Sequence, residues 1–221
     1  MPRGNVVAID SDLPWEVLAS LPESYATAWS SLIGVLGIEA GLTILIRGGT
    51  SALGQAAINI AVDRGAHVLA TTRKPERIGI LQELGAQEVL LESPTLAARV
   101  CDTHPGGINA VLDIVGNTTV LDSLAMLRRG GRACVVGFLG GGGPLTLEPV
   151  FQIPSGRFLT TFASALVTGG ADFPLAEIPF QEMIDKVATG AYRAQPARVF
   201  QFNEIQAAHR ALECGDRKSV V

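Results

Sequence analysis

Arg47-Gly48-Gly49-Thr50-Ser51-Ala52-Leu53-Gly54 is the stretch that decides the fold. It follows a short apolar run rich in branched side chains and it opens an apolar helical segment. A glycine at 49 permits a sharp turn, small side chains at 51 and 52 let the backbone approach a phosphate, and a glycine at 54 allows close packing of helix on strand. Because the start of a helix also attracts negative charge, we predict that a dinucleotide diphosphate binds here. The predicted contacts are Gly49, Thr50, Ser51, Ala52, Leu53 and Gly54.

The turn departs from the Gly-x-Gly-x-x-Gly pattern of dinucleotide folds, because Ser51 occupies the middle position. An ordinary turn is the alternative interpretation of the motif taken alone. The position of the turn, after a strand and before a helix at the start of a βαβ series, favours the dinucleotide.

The series itself consists of short runs of branched apolar residues that alternate with amphipathic helices. We predict strands at Leu42 to Arg47, His67 to Thr72, Glu88 to Leu91, Ala110 to Val115, Ala133 to Gly137 and Phe158 to Phe162. Two helices are predicted within 12–37, and further helices near 53–64, 75–84, 95–102, 118–128 and 175–189, with glycines 65, 85 and 130 ending three of these. The fold class is therefore α/β, with a doubly wound, six-stranded parallel sheet of the Rossmann type.

The end of the second strand is where such folds distinguish NAD from NADP. No carboxylate stands there, whereas three basic residues follow within a few positions. Cationic side chains can bond a 2′-phosphate, so we expect NADP(H), although a solvated basic loop is the alternative. The predicted contacts are Thr72, Arg73, Lys74 and Arg77.

Two further loops follow the fourth and fifth strands, at the carboxyl edge where ligands of this fold bind. The second is rich in glycine, which would let main chain approach a flat ring, although such loops are often only flexible connectors. The predicted cofactor contacts here are Val115, Gly116, Gly137, Phe138 and Leu139.

Composition narrows the class of protein. Of the 221 residues 48% are hydrophobic and 17% charged, and the net charge is −4 with scattered basic residues. These values are typical of a globular protein and give no basis for binding nucleic acid or a membrane surface. No apolar run is long enough for a membrane helix, and we expect a soluble, cytoplasmic protein.

An ordered series of motifs carries a family resemblance. The segments are Leu21-Pro22-Glu23-Ser24-Tyr25-Ala26-Thr27-Ala28-Trp29, the turn at 47–54, Leu84-Gly85-Ala86, Leu112 to Asn117, and Leu127-Arg128-Arg129-Gly130-Gly131-Arg132. They resemble the zinc-independent quinone oxidoreductase branch of the medium-chain dehydrogenase/reductase superfamily. The resemblance implies a homodimeric, NADPH-dependent reductase of quinones or α,β-unsaturated carbonyl compounds. It also implies that Thr27 lies near the nicotinamide, Phe138 near its ribose and Lys218 close to the cofactor.

The departures from the family concern mainly its first domain, a GroES-like catalytic domain. We expect residues 1–12 to hold only a remnant strand of it, 13–200 to form the Rossmann domain with its leading helices, and 201–221 to form a helix and a returning strand. A short strand is also expected at Arg198 to Phe202. Three separated cysteines cannot form the family's zinc sites, so no zinc or other metal is expected. Glu92 replaces a tyrosine that many quinone reductases carry near the adenosine.

No catalytic residue can be assigned from the sequence. Tyr25 could donate a proton, but packing in the core is the favoured interpretation, and His67, His104 and His209 show no partner suited to catalysis. Two alternatives to a complete enzyme stay open: a cofactor-binding module or truncated product without turnover, and a chain completed by another subunit. An alcohol dehydrogenase-like member without zinc is a further alternative. The apolar sixth strand predicts a homodimer through that sheet edge.

Overall fold

A computed structural model describes residues 5–141, 143–194, 196 and 198–213. The elements are α1 (Trp15–Ala19), α2 (Pro22–Trp29), β1 (Thr43–Arg47), α3 (Ala52–Asp63), β2 (His67–Thr72), α4 (Ile78–Glu83), β3 (Glu88–Leu91), α5 (Leu96–Thr103), β4 (Ile108–Asp113), α6 (Val120–Ala125), β5 (Leu127–Val135), α7 (Pro149–Gln152), β6 (Phe158–Thr161), α8 (Ser164–Val167), α9 (Phe180–Ala188) and α10 (Ile205–Glu213). A π-helical segment, Ser30–Val35, continues α2, and 3-10 turns lie at Pro75–Arg77, Leu175–Glu177 and Phe202–Glu204.

The six strands form one parallel sheet in the order β3-β2-β1-β4-β5-β6. The chain thus starts in the middle of the sheet, builds outward to β3, and returns to build the other half from β4. The order of the strands reverses between β1 and β4, where doubly wound folds bind their ligands. The predicted fold class is confirmed.

The central strand β1 is buried on both faces, which explains why it lacks the polar alternation of a half-exposed strand. Ile44 and Ile46 pack into the apolar cluster that includes side chains of α2, α3 and α9. Leu45 points to the opposite face, into a second cluster with α5 and α6. Truncating a fully buried side chain such as Leu45 to alanine should cost about 2–5 kcal/mol of stability.

Glycines end α3 and α4 as the sequence predicts. After α3, Gly65 has a φ of 75°, and the N–H groups of Gly65 and Ala66 bond to Val62 and Ala61 at 2.9 and 3.0 Å. This pair of bonds satisfies the last carbonyls of the helix and requires a left-handed residue, which glycine supplies without strain. Gly85 repeats the arrangement after α4.

The fifth strand begins earlier than predicted, at Leu127 in place of Ala133, and α6 ends at Ala125 in place of residue 128. The parallel ladder with β4 changes register between Ile108 and Ala110, because Gly130 and Gly131 form an irregularity within β5. Gly130, which we predicted to end a helix, has a φ of 80° within this strand. The irregularity interrupts the apolar alternation, so the sequence pattern conceals the first part of the strand.

Two predicted strands outside the βαβ series are wrong. Residues 5–10 are exposed and do not pair with another strand. The backbone of Asp10 instead exchanges hydrogen bonds of 2.9 and 2.8 Å with the side chain of Gln181. In the range 198–202, only Arg198 makes an isolated bridge, and Phe202 belongs to a 3-10 turn. A strand needs a partner for its backbone groups, and apolar composition alone does not supply one. The predicted returning strand with Lys218 lies outside the described residues.

The helices of the described ranges include none that is long and apolar enough to cross a membrane.

Candidate functional site

A cleft of about 310 Å³ opens at the carboxyl edge of the sheet. It lies between the turn that follows β1, the loop that follows β2, and the loops that follow β4 and β5. Its lining consists of Gly48, Thr50, Ser51, Thr71, Thr72, Arg73, Lys74, Arg77, Glu92, Val115, Leu139 and Gly140. Residues from the predicted diphosphate turn, the basic loop and the two later loops therefore meet in one place.

The first glycine of the turn, Gly48, makes the sharp change of direction. Its φ is 87°, and its N–H donates to the hydroxyl of Thr71 at 2.9 Å. We predicted this role for Gly49, which has no positive φ. Gly49 instead lies against β2, where an added Cβ would be 3.2 Å from Cβ of Ala70 and 3.3 Å from the carbonyl oxygen of Thr71. Both glycines are needed, one for direction and the other for the close approach of two strands.

Ser51 caps α3 in addition to being small. Its hydroxyl donates to the carbonyl of Gly48 at 2.9 Å and accepts from the N–H of Gly54 at 3.0 Å. The N–H groups of Ala52 and Leu53 have no acceptor among the described residues. They stand at the positive end of a 12-residue helix, where an anionic group can accept from them.

Gly54 lies where α3 presses directly on the turn. A Cβ at this position would come 2.5 Å from the carbonyl oxygen of Gly48 and 2.7 Å from Cα of Gly49. No side chain can occupy that space without moving the backbone, so the predicted need for glycine here is confirmed.

The basic loop after β2 contributes Arg73, Lys74 and Arg77 to the cleft. The backbone is fixed by the hydroxyl of Thr72, which accepts from the N–H of Lys74 at 3.1 Å. Within the described part of the chain, none of the three basic side chains forms a salt bridge. The cleft thus carries three cations available to a ligand.

A buried arginine lies beneath the cleft. Arg47, only 1% exposed, places Nε 3.0 Å from an Oε of Glu92 and a terminal nitrogen 2.8 Å from an Oδ of Asp122. Burial alone would lower the pKa of Arg47, but the hydrogen bond and charge of Glu92, with the charges of Asp122 and Asp113, raise it above its ordinary value. Glu92 is therefore held by Arg47, which offsets a negative charge that would otherwise oppose an anion.

The loop after β4 is organised by Asp113, which is fully buried at the end of the strand. Its carboxylate accepts from the N–H groups of Val115 and Gly116 at 3.0 and 2.9 Å, and from the hydroxyls of Thr119 and Ser123 at 2.9 and 2.7 Å. These bonds satisfy the buried charge and fix the direction of the loop that forms one wall of the cleft.

The loops after β4 and β5 touch through glycines. An added Cβ on Gly116, whose φ is 96°, would lie 2.5 Å from the carbonyl oxygen of Gly137, and one on Gly137 would lie 2.6 Å from that of Ile114. Leu139 reaches the cleft, whereas Phe138 is 86% exposed and is not part of the lining. The predicted glycines therefore serve the contact between loops, and of this loop Leu139 and Gly140 face the cleft.

Thr27 and Tyr25, on α2, are both buried and are not among the lining residues of the cleft. The hydroxyl of Tyr25 accepts from Nδ2 of Asn59 at 2.7 Å, and its ring stacks on Tyr192 at 5.8 Å between centroids. Burial raises the pKa of Tyr25 to about 12, while the hydrogen bond from Asn59 lowers it in part. The favoured interpretation, that Tyr25 packs in the core, is confirmed.

Three lining residues and one residue beneath them were not predicted from the sequence. Gly48 and Thr71 adjoin predicted contacts. Gly140 depends on loop geometry that no local pattern encodes, whereas the family resemblance had already placed Glu92 near the adenosine. Arg47 could have been singled out from the sequence, because an arginine at the end of a buried strand requires partners of opposite charge.

A family model described as "Zinc-binding dehydrogenase" matches residues 52–177, from the start of α3 through β6 to the 3-10 turn before α9. The chain belongs to this family. As a zinc-binding dehydrogenase family member it is related to oxidoreductases, and its sheet corresponds to the nucleotide-binding half of the medium-chain dehydrogenase/reductase fold.

Curated proteins similar to this chain include the phthioceranic/hydroxyphthioceranic acid synthase of Mycobacterium bovis. It is 36% identical over 121 residues, which are 54% of this chain and 6% of the relative. The chain therefore spans a small fraction of that relative's length.

Solved structures of similar proteins include the CurK enoyl reductase, with 25% identity and a TM-score of 0.78 over 99% of this chain and 66% of that one. A mycobacterial protein complexed with NADPH shows 25% identity and a TM-score of 0.83, over 100% of this chain and 67% of that one. A mycobacterial quinone oxidoreductase shows 26% identity and a TM-score of 0.82, over 96% and 65%. The resemblance stated from the sequence is confirmed.

The name of the family implies zinc, and the cleft provides no set of ligands for it. Its lining holds neither histidine nor cysteine, and its single carboxylate, Glu92, faces Arg47. Zinc requires three or four such donors around one point. The residues of the cleft therefore do not fit a zinc ion.

Proposed function

We propose that this chain binds NADPH and forms the cofactor-binding half of an oxidoreductase that transfers hydride to a quinone or an α,β-unsaturated carbonyl compound. The observation that carries the proposal is the meeting, in one cleft, of the helix start at Ser51 with the basic side chains of Arg73, Lys74 and Arg77. The first suits a diphosphate and the second suits a 2′-phosphate. The NADPH complex of a similar protein supports the choice of cofactor, and the enoyl reductase and quinone oxidoreductase relatives support the choice of substrate.

Different residues of the chain would bind the diphosphate and the 2′-phosphate of NADPH. The N–H groups of Ala52 and Leu53 donate to the diphosphate, and Gly48 and Gly54 keep that surface free of side chains. The guanidinium groups of Arg73 and Arg77 and the ammonium of Lys74 neutralise the 2′-phosphate.

NADPH, when bound, supplies the hydride, while the protein contributes orientation and excludes water. Val115 and Leu139 form the apolar side of the cleft, where a flat ring can pack.

Affinity for the two reduced cofactors tests this proposal. Arg73→Ala should weaken NADPH binding about tenfold to a hundredfold and leave NADH binding nearly unchanged, because a charge-assisted hydrogen bond contributes about 1.5–3 kcal/mol. Arg128→Ala removes an arginine that is also exposed, near the start of β5 and outside the cleft, and should change neither. Equal affinity of the unchanged protein for NADPH and NADH would contradict the NADPH assignment.

A second candidate is a cofactor-binding module without turnover. It is favoured by one observation: the single acid-base group that lines the cleft besides the basic loop, Glu92, is engaged by Arg47. Measuring NADPH oxidation with a panel of quinones and enones separates the two. Oxidation supports the complete enzyme, whereas NADPH binding without oxidation supports the module.

A further inference from the structure

Three potential metal ligands converge at the amino edge of the sheet, away from the cofactor cleft. His67 and Glu88 are the first residues of β2 and β3, and His104 follows the last residue of α5. Parallel neighbouring strands begin at the same edge, which brings His67 and Glu88 together. The chain segment that leaves α5 for β4 brings His104 to the same edge.

The separations of the donor atoms suit one small cation. Nε2 of His67 lies 2.8 Å and Nε2 of His104 lies 3.4 Å from the same Oε of Glu88, and the three side chains offer ligand atoms that are all within 4.8 Å of one another. Ligands at about 2.0–2.2 Å from a tetrahedral zinc ion are roughly 3.3–3.5 Å apart. The His104–Glu88 separation lies in this range, whereas His67 and Glu88 are at hydrogen-bond distance and would move apart slightly to admit an ion.

The hydrogen bond between His104 and Thr103 leaves the lone pair of Nε2 of His104 free to bind a metal. Oγ1 of Thr103 lies 3.2 Å from the carbonyl oxygen of Val100, to which it donates, and 2.9 Å from Nδ1 of His104. Since the hydroxyl proton is used, the hydroxyl accepts from Nδ1–H of His104, and the lone pair of that ring is on Nε2. A second residue that fixes the tautomer in this way is typical of metal-binding histidines.

The exposure of the three side chains leaves room for water in the remaining coordination position. His67 is 40%, Glu88 30% and His104 21% exposed. A fully buried group would be satisfied by protein, whereas this set is partly open to solvent on one side. Two imidazoles and one carboxylate are a ligand set that zinc accepts.

We propose that His67, Glu88 and His104 bind a divalent transition metal of the zinc type. The bound ion would join β2, β3 and the end of α5, and would stabilise the folded chain according to its concentration. The site is at the opposite end of β2 from Thr72, roughly 16 Å away at the rise of a strand, so its occupation does not depend on the cofactor.

The test uses the full chain, free of any added histidine tag, titrated with ZnCl₂ in a calorimeter. We expect one ion per chain and a higher unfolding temperature in zinc than in chelator. His104→Ala and Glu88→Gln should each weaken zinc binding at least about tenfold, because even an outer partner contributes that much. Thr103→Val should weaken it about tenfold without removing a ligand.

His209→Ala is the matched control, since the chain has three histidines and this one is on α10, exposed and outside the cluster. It should bind zinc as the unchanged protein does. Zinc should also shift the imidazole proton resonances of two histidines and leave the third in place.

Equal zinc affinity in the unchanged protein, His104→Ala and Glu88→Gln would overturn the proposal. Absence of binding to the unchanged protein would do so as well. The imidazole spectra keep the test valid if a variant fails to fold.

Discussion

Arg47 reaches past the end of β2 to hold Glu92, with its Nε 3.0 Å from the carboxylate. The contact joins the central strand β1 to the segment that follows β3, on the side of the sheet where the cleft opens. It thus couples the stability of the fold to the shape and charge of the candidate cofactor site.

Removing the charged side chain of Arg47 should lower the stability of the folded protein. Arg47→Met leaves the carboxylates of Glu92 and Asp122, which are 16% and 20% exposed, without their partner. Breaking such a pair typically costs about 3–5 kcal/mol, and we expect a loss of that size in the free energy of unfolding measured in urea. Arg193→Met breaks an arginine–glutamate pair in which both side chains are 59% exposed, and should cost less than about 1 kcal/mol. Similar losses in the two variants would contradict this account of Arg47.

A methyl group at Gly54 should damage the cleft. Because its Cβ would be 2.5 Å from the carbonyl oxygen of Gly48, Gly54→Ala must displace the turn and should lower NADPH affinity by tenfold or more. Gly79→Ala, in α4, meets no atom within 4 Å and should stabilise the helix by about 0.5–1 kcal/mol. Fluorescence titration and urea unfolding of both variants measure these effects. Unchanged NADPH binding by Gly54→Ala would show that the turn does not contact the cofactor.

These residues also show how far the sequence alone could go. The alternation of strands with helices, the turn that opens α3 and the basic loop after β2 are local patterns, and all were predicted. Gly48 and Gly49 are adjacent, and only the path of the backbone reveals which one carries the positive φ. The partners of Arg47 are 45 and more positions away in the chain, and the histidine cluster joins three separate elements. Contacts of that kind depend on tertiary packing and leave no periodic signal.

Alkaline pH should destabilise the protein partly through Tyr25. Its pKa is raised from 10.0 to about 12, chiefly by burial, so the folded state favours the protonated phenol. The stability that the protonated phenol contributes is present below pH 10 and is lost as the pH rises toward 12. The free energy of unfolding should fall by about 2–3 kcal/mol over that interval. In Tyr25→Phe the free energy of unfolding should fall less steeply over that interval. Urea unfolding at pH 7, 10 and 11 measures the slope, and identical slopes would refute the assignment.

We propose that β6, at the edge of the sheet, mediates a homodimer. Phe158 in this strand is 55% exposed, and an edge strand carries backbone groups free to pair with a second copy. Sedimentation velocity should show a dimer that dissociates in Phe158→Glu, where like charges would oppose each other across the interface. A monomer at high concentration of the unchanged protein would rule out this interface.

A crystal structure of the chain with NADPH bound is the decisive test of cofactor binding in the cleft. We expect the diphosphate against the N–H groups of Ala52 and Leu53, and the 2′-phosphate among Arg73, Lys74 and Arg77. An empty cleft at saturating NADPH, or a dinucleotide bound elsewhere on the protein, would contradict it.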